Sequence, residues 1–450
     1  MSSLRAALYR FHWEVRSRTS GFGLLQAMRL LEESQWWERG RVEALRDAKL
    51  VRLVEHAYAA SPRYRLMMDE HGVRPSDVRG VADLPRLPVL TREVLRKHAQ
   101  ELRFRDASSL EVGATGGTTG SPIRIVRDRA GTVWQRGCYW RGLGWGGLRL
   151  GEPFVQIFGG SLGVSRLRRL DRAKNWLAGK HFLPAFELGP DNASKYVEAI
   201  RASGARHLIG YTSAVFLLAR HADRLGSRVE LTAVFPTAEP LLESWRGPIR
   251  RAFGVEPLPY YGCGEIQSLG YSCPGAEAPV YHTCDEHSVI EVEIPGKAPA
   301  LVGEGAFLVT DLDNHALPML RYRNGDGGAL AGPGCRCGRS LGRITRIDGR
   351  VNDVLYTTCG TAISGAIGPH AFKMVEGVEQ FQIIQRMRGQ VEIRLVRLPS
   401  YSAATEEPKI DRIFRQHLGS DATIEIRYVD AIPRTAAGKV RFIINEASAP

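Results

Sequence analysis

The densest run of ligand-binding residue types is Ala114-Thr115-Gly116-Gly117-Thr118-Thr119-Gly120-Ser121-Pro122. Glycines let a backbone turn with positive φ and come close to a ligand. Successive N–H groups in such a turn form a hollow for an anion, and threonine hydroxyls add donors. That chemistry suits a polyphosphate. It is not a Walker loop, because no Gly-Lys-Ser/Thr follows. Alone, a Gly/Thr cluster is more often just a surface turn. A second set is Cys273, His282 and Cys335-Arg336-Cys337-Gly338, the last behind the turn Gly332-Pro333-Gly334. Cys-x-Cys-Gly in a tight turn lets thiolates converge on a tetrahedral metal. The residues by themselves more often mean unrelated thiols and a surface histidine, with Cys284 and His287 as spare donors.

The remaining composition narrows the classes. The chain has 450 residues, 44% hydrophobic and 24% charged, ordinary for a soluble globular protein. Its formal charge of +13 is carried mostly by arginine and attracts anions: nucleotides, phosphorylated cofactors or acidic lipid. No zinc-finger, RNA-recognition or helix-turn-helix signature is present, so nucleic acid is not the expected partner. The 7 cysteines sit in a long chain without a secretory leader. An odd number in that setting points to a reducing cytoplasmic location and a metal, not a disulfide framework. No apolar run reaches ~18 residues, so no transmembrane segment is expected.

Elements must hold these groups in place. Residues 1 to 105 read as helical and basic, with Leu50, Leu53, Val54, Ala57 and Tyr58 on one face and Ser61-Pro62 ending that helix. Trp13, Trp36 and Trp37 are expected to anchor this layer to the body. Leu84–Thr91 is a rigid connector with Thr91 as N-cap. Strands are expected at 154–158, 207–210, 233–236, 258–261, 289–294 and 307–310, and helices at 193–203, 214–225 and 241–253. The alternation argues layered α/β structure with a largely parallel sheet and ligands at strand ends. A smaller unit follows, with strands at 381–384, 391–396 and 424–429 and helices at 367–375 and 410–418. Trp134, Tyr139, Trp140 and Trp145 are expected mainly in the core, and Cys138 and Cys359 as buried thiols.

Four further stretches follow the Gly/Thr loop in fixed order: Tyr260-Tyr261-Gly262-Cys263-Gly264-Glu265, Leu320-Arg321-Tyr322-Arg323-Asn324-Gly325-Asp326, Ile347–Leu355, and Ile432–Arg441. Together they resemble the adenylate-forming enzymes, and most nearly the phenylacetate–CoA ligase and CapK-like branch, over roughly residues 45–445. The resemblance implies a large N-terminal domain (1–347) binding ATP and an acid, and a small mobile C-terminal α+β lid (348–450). It implies an acid–thiol ligase that makes an acyl-AMP from an acid, by family default an aromatic one, and passes the acyl group to coenzyme A. A carrier-protein thiol or an amine is the alternative acceptor, in natural-product or polysaccharide synthesis, and a degenerate nucleotide-binding scaffold is the non-enzymatic alternative; a homodimer stays open. By resemblance Thr115, Gly116, Gly117, Thr118, Thr119 and Gly120 hold ATP phosphates, and Ala238, Glu239, Tyr260, Tyr261 and Gly262 flank the nucleotide. Asp326 and Arg350 then bind the ribose region, Glu265 ligates Mg²⁺, Lys439 contacts carboxylate and α-phosphate, and Asn352 is the hinge. In that context Cys273, His282, Cys335 and Cys337 become a structural zinc site. The chain departs from the pattern at Asn352, where Asp or Lys is common. It departs also at Cys263-Gly264, where Ser or Thr commonly precedes the glutamate, and at Ile123-Arg124, which replaces a lysine after the proline.

Overall fold

The structure is a computed structural model. It describes residues 2–19, 23–104, 111–114, 124–158, 169–185, 187–188, 191–276, 280–294, 296–350, 354–360, 362–364, 371–372, 375–433 and 441–447. The phosphate-loop residues Thr115 to Gly120, the hinge Asn352 and Lys439 lie outside the described residues, as does most of the expected helix at 367–375. None of the described helices is long and apolar enough to cross a membrane.

Two short strands, β1 (Glu111–Ala114) and β2 (Arg124–Arg127), form an antiparallel pair that brings Ala114 opposite Arg124 and so closes the two ends of the Gly/Thr stretch together. The body is one 11-stranded sheet. One half comprises β3 (Phe154–Phe158), β4 (Lys180–Pro184), β5 (His207–Tyr211), β6 (Ala233–Thr237) and β7 (Tyr260–Tyr261). In space the order is β4-β3-β5-β6-β7, all parallel. The other half comprises β8 (Gly270–Ser272), β9 (Tyr281–Thr283), β10 (Ser288–Glu293), β11 (Gly303–Asp311), β12 (Met319–Ala331) and β13 (Arg343–Arg350). These pair antiparallel in the order β8-β9-β13-β12-β11-β10, joined to β7 through β8. The sheet is therefore mixed, which corrects the largely parallel expectation. The parallel half behaves as its sequence suggests: every residue of β5 and β6 is buried, the continuous apolar run of a strand covered on both faces.

Helices cover the parallel half. Ala193–Ser203 buries Ala193, Tyr196, Val197 and Ile200, spaced for one helical face, and ends on Gly204 at φ 64°, where a side chain would be strained. Glu243–Phe253 ends the same way on Gly254 at φ 75°. A smaller unit follows, with the hairpin β14 (Val354–Tyr356) and β15 (Ala362–Ser364). Its four-stranded sheet holds β16 (Val378–Met387), β17 (Gln390–Arg397), β18 (Thr423–Tyr428) and β19 (Ile443–Asn445) in the order β18-β17-β16-β19. Helix Ala403–Leu418 packs on that sheet through Ile410, Phe414 and Leu418. The small unit docks on the body: Trp245 stacks on Phe216 at 4.4 Å between centroids and meets Phe442 at 6.4 Å. Arg220 also forms an ion pair with Glu379.

Two core expectations change. Trp36 is 53% exposed and lies under the guanidinium of Arg339, so it does not anchor the helical layer, whereas Trp13 packs against the body. Cys359 is exposed, because it sits in the turn between β14 and β15, while Cys138 is fully buried.

Candidate functional site

At β7 the sheet changes from parallel to antiparallel, and the predicted nucleotide-side residues gather around that point. β6 and β7 meet at Thr237 and Tyr260. Parallel strands point their carboxyl ends the same way, so the loops after Thr237 and Tyr261 open on one side of the sheet. Ala238 has φ 67°, unusual for a residue with a Cβ, and this sharp turn directs Glu239 to helix Thr212–Arg224. There the Glu239 carboxylate accepts from the Ser213 amide at 2.7 Å, and Thr212 Oγ1 donates to the Glu239 carbonyl at 2.9 Å. Glu239 fixes this loop at a helix N-terminus, where its negative charge is favoured.

After Tyr261 the chain folds tightly back. The Cys263 amide donates to the Ile266 carbonyl at 2.9 Å and the Leu269 amide to the Tyr261 carbonyl at 3.0 Å. A Cβ on Gly262 would lie 3.0 Å from the Ser268 nitrogen, so this turn needs its glycine. Tyr260 stacks on Tyr271 at 5.3 Å, and Tyr139 meets Tyr260 edge-on at 6.1 Å.

Tyr261 and Asp326, remote in sequence, are hydrogen-bonded. The Tyr261 hydroxyl donates to Asp326 Oδ2 at 2.8 Å, and Asn324 Nδ2 donates to the Tyr261 oxygen at 2.8 Å. Gly325, at φ 84°, lets Asn324 Oδ1 accept from the Asp326 amide at 2.9 Å. Burial and the neighbouring carboxylate hold the Tyr261 hydroxyl protonated well above the usual phenol range, so it stays a donor. Asp326 is thus oriented and half-buried, and a carboxylate is an acceptor suited to the hydroxyls of a diol. Arg350 pairs with Asp326 in register across β12 and β13; its side chain lies outside the described residues.

Glu265 is 5% exposed, and its Oε1 is buried without a hydrogen-bond partner. Among the described residues the cation facing this oxygen is Arg92, whose Nη1 lies 3.6 Å from it. Tyr322 lies beside it: burial first, then the Glu265 charge, push its phenol up, so its hydroxyl stays protonated next to that carboxylate. Burial, then the charges of Glu265 and Asp326, do the same to the Cys263 thiol, so that sulfur is not a nucleophile at neutral pH. A buried carboxylate oxygen with no donor is costly unless a cation fills the gap, so the residues present fit Mg²⁺.

Arg92 escaped the sequence reading, although a basic residue one place after an N-cap in a rigid connector was a usable signal. Thr91 Oγ1 accepts from the Val94 amide at 3.2 Å, starting helix Arg92–Lys97. The connector is pinned by Arg321, another residue the sequence did not flag. Arg321 has φ 50° and is bonded to Glu291 at 3.1 Å. It donates to the Leu87 carbonyl at 2.6 Å and accepts from the Leu90 amide at 3.2 Å. These hydrogen bonds hold the end of the connector from which Arg92 reaches Glu265.

The second site is the knuckle. Ligand atoms of Cys273, His282, Cys335 and Cys337 lie within 4.8 Å of one another. His282 Nε2 is 3.2 Å from Cys337 Sγ, and Cys335 Sγ is 3.9 Å from Cys273 Sγ. Burial, helped by the charges of Arg339 and Arg141, pushes His282 down to about 4, leaving the neutral ring a metal needs. Three thiols and one imidazole with compatible spacing are a donor set for tetrahedral Zn²⁺. The spare donors go elsewhere. Cys284 is fully buried beside Cys138. His287 Nδ1 donates to Asp313 at 2.9 Å, inside a knot where Lys49 Nζ lies 2.7 Å from Asp313 and 3.1 Å from the centre of the Trp134 ring. Arg141 pairs with Glu286 at 2.6 Å, and Ser34 Oγ donates to the same carboxylate at 2.6 Å.

The chain is similar to known proteins along most of its length. A family model described as the CapK C-terminal domain matches residues 355–446. The phenylacetate-coenzyme A ligase of Thermus thermophilus is 25% identical over 433 residues, covering 90% of this chain and 97% of that protein. The enzyme of the same name from Escherichia coli is 26% identical over 383 residues, covering 78% and 80%. Among solved structures, a 2-hydroxyisobutyryl-CoA ligase in its postadenylation state superposes with a TM-score of 0.72 at 19% identity, covering 92% of this chain and 93% of that one. That likeness is one of fold.

Proposed function

Since the chain belongs to the phenylacetate–CoA ligase and CapK-like branch of the adenylate-forming enzymes, we propose that it activates a carboxylic acid with ATP and transfers the acyl group to coenzyme A. The reading rests chiefly on one observation: a buried Glu265 oxygen without a donor stands on the same loop as Tyr261, whose hydroxyl orients Asp326. An acid oxygen attacks the α-phosphorus, the bond to the bridging oxygen breaks and pyrophosphate leaves. Asp326 accepts from the ribose hydroxyls, and the stacked Tyr260 and the loop at Ala238 border the base. Thr115 to Gly120 cradle the phosphates, between strands whose ends already meet at Ala114 and Arg124. Glu265 holds Mg²⁺, which when bound supplies positive charge to the departing pyrophosphate. Arg92 stands close enough to Glu265 to share that work. Lys439 lies between carboxylate and α-phosphate, offsetting the repulsion of two anions. Coenzyme A thiolate then displaces AMP after the small unit turns about Asn352. The acid is aromatic, received near Tyr139, Tyr260 and Tyr261.

The division into a 1–347 body and a 348–450 lid is part of this proposal; β13 carries the body sheet across it to Arg350. So is a structural zinc held by Cys273, His282, Cys335 and Cys337. The test is ATP–pyrophosphate exchange across aromatic, fatty and amino acids. Exchange with an aromatic acid, lost in Lys439→Ala while ATP still binds, is the expected result. ATP binding without exchange for any acid would leave the nucleotide-binding scaffold as the better reading.

A further inference from the structure

The helix Ser2–Thr19 has two apolar faces. One lies on the body: Ala6 is buried, and Tyr9 and Trp13 pack into a cluster with Leu24, Trp140 and Phe154. Arg5 is buried as well, donating to the carbonyls of Trp176 at 2.9 Å and Gly151 at 3.3 Å. The other face is open, with Leu4 68%, Leu8 50%, Phe11 62% and Val15 43% exposed. Steps of four, three and four residues keep these side chains on one line of a helix, about 16 Å long at the usual rise. The adjoining helix Arg169–Leu177, reached through the Arg5 contact, leaves Trp176 58% exposed. Arg10 and Lys174 are exposed on the same two helices.

The geometry points to this face as a docking surface for an anionic lipid membrane. Leu4, Leu8 and Phe11 enter the boundary between headgroups and acyl chains, Trp176 lies at headgroup level, and Arg10 and Lys174 meet lipid phosphates. An apolar line flanked by arginine, with tryptophan beside it, is the pattern that a membrane interface rewards. Charge separates this occupant from a second copy of the chain. Two molecules of formal charge +13 meeting through arginine-flanked helices repel, whereas anionic headgroups neutralise the same residues. Area argues the same way, since a stable protein pair needs roughly 800 Å² from each partner and a line one side chain wide gives far less.

The test uses the full chain and vesicles of phosphatidylcholine alone or with about 30% phosphatidylglycerol, at low and high salt. Sedimentation should show binding to the anionic vesicles that weakens with salt. In the exposed double variant Leu8→Asp with Phe11→Asp, the partition coefficient should fall about tenfold or more. Melting temperature and pyrophosphate exchange should stay at wild-type values, which separates a failed docking surface from a failed enzyme. A milder pair, Leu4→Gln with Leu8→Gln, repeats the measurement without adding charge. No preference for anionic vesicles, or unchanged partition in both variants, overturns the proposal. So does a wild-type dimer that the variants convert to monomer while neither form binds vesicles, because a second copy then occupies the face.

Discussion

Cys273 after β8, His282 in β9, and the half-buried Cys335 and Cys337 between β12 and β13 form one donor set, while the buried His287, Asp311 and Asp313 form another; each set brings its donor atoms within 4.8 Å of one another. Proximity of donors therefore does not separate them. The counter-charge does. In the inner set Lys49 stands 2.7 Å from Asp313, and His287 is itself held to both carboxylates, at 2.9 Å from Asp313 and 3.8 Å from Asp311. A divalent ion there would have to displace a buried ammonium. In the knuckle the donors are thiols and a neutral imidazole, Arg339 faces Cys337 from outside the set, and among the described residues no cation sits between the donors, so a divalent metal would balance two or more thiolates without displacing one. Glu265 follows the same rule on the receptive side: the guanidinium of Arg92 stands off at 3.6 Å from Oε1, and that oxygen has no hydrogen-bond partner.

The comparison is sharpened most by removing knuckle ligands. Cys335→Ser with Cys337→Ser should lose about one zinc per chain by elemental analysis and more than about 4 kcal/mol of stability in denaturant, the range for loss of a structural metal. A metal-free, fully folded wild type would break the distinction. Next, Lys49→Met should cost about 3–5 kcal/mol, because it strands buried carboxylates, with no change in metal content. A second metal equivalent in wild type would make the inner set a site after all. Third, Glu265→Gln should lower Mg²⁺-dependent exchange about 100-fold while leaving zinc untouched, the scale of one lost stabilising group; an unaltered Mg²⁺ response would move that ion elsewhere.

The smallest effect at any one pH is a slope. Burial opposes a charge on His287, but Asp311 and Asp313 outweigh it and raise its pKa, so its contribution is full below about 6.5 and fades as pH rises through the folded value. Urea titrations of His287→Gln should flatten that fall in stability above about pH 6.5. A slope that survives the substitution would place the responsible charge outside the inner set.

Sequence legibility followed the same divide. Helix Ala193–Ser203 and strands β3, β5 and β6 were readable because apolar periodicity and long buried runs are local signals. The antiparallel half was read only in fragments. β8 and β9 have three residues each, and the expected 258–261 strand contracts to Tyr260–Tyr261, since such short strands are set by their neighbours in the sheet. The knuckle was visible because Cys-x-Cys-Gly announces its own geometry. Tyr261 and Asp326 were found as separate motifs, but their hydrogen bond was not, because 65 residues and four strand pairings separate them. Arg92 and the strained Arg321 depend on a bridge between Leu90 and Tyr322 that has no local signature.

Trp245 turns the docking of the small unit into an optical signal. Its indole lies between Phe216 of the body and Phe442 of the small unit, and is 1% exposed. If the small unit rotates during the cycle, Phe442 departs while Phe216 stays, and one face of the indole meets water. Emission from that residue should then shift to longer wavelength, allowing the rotation to be timed in a stopped-flow instrument without any attached dye.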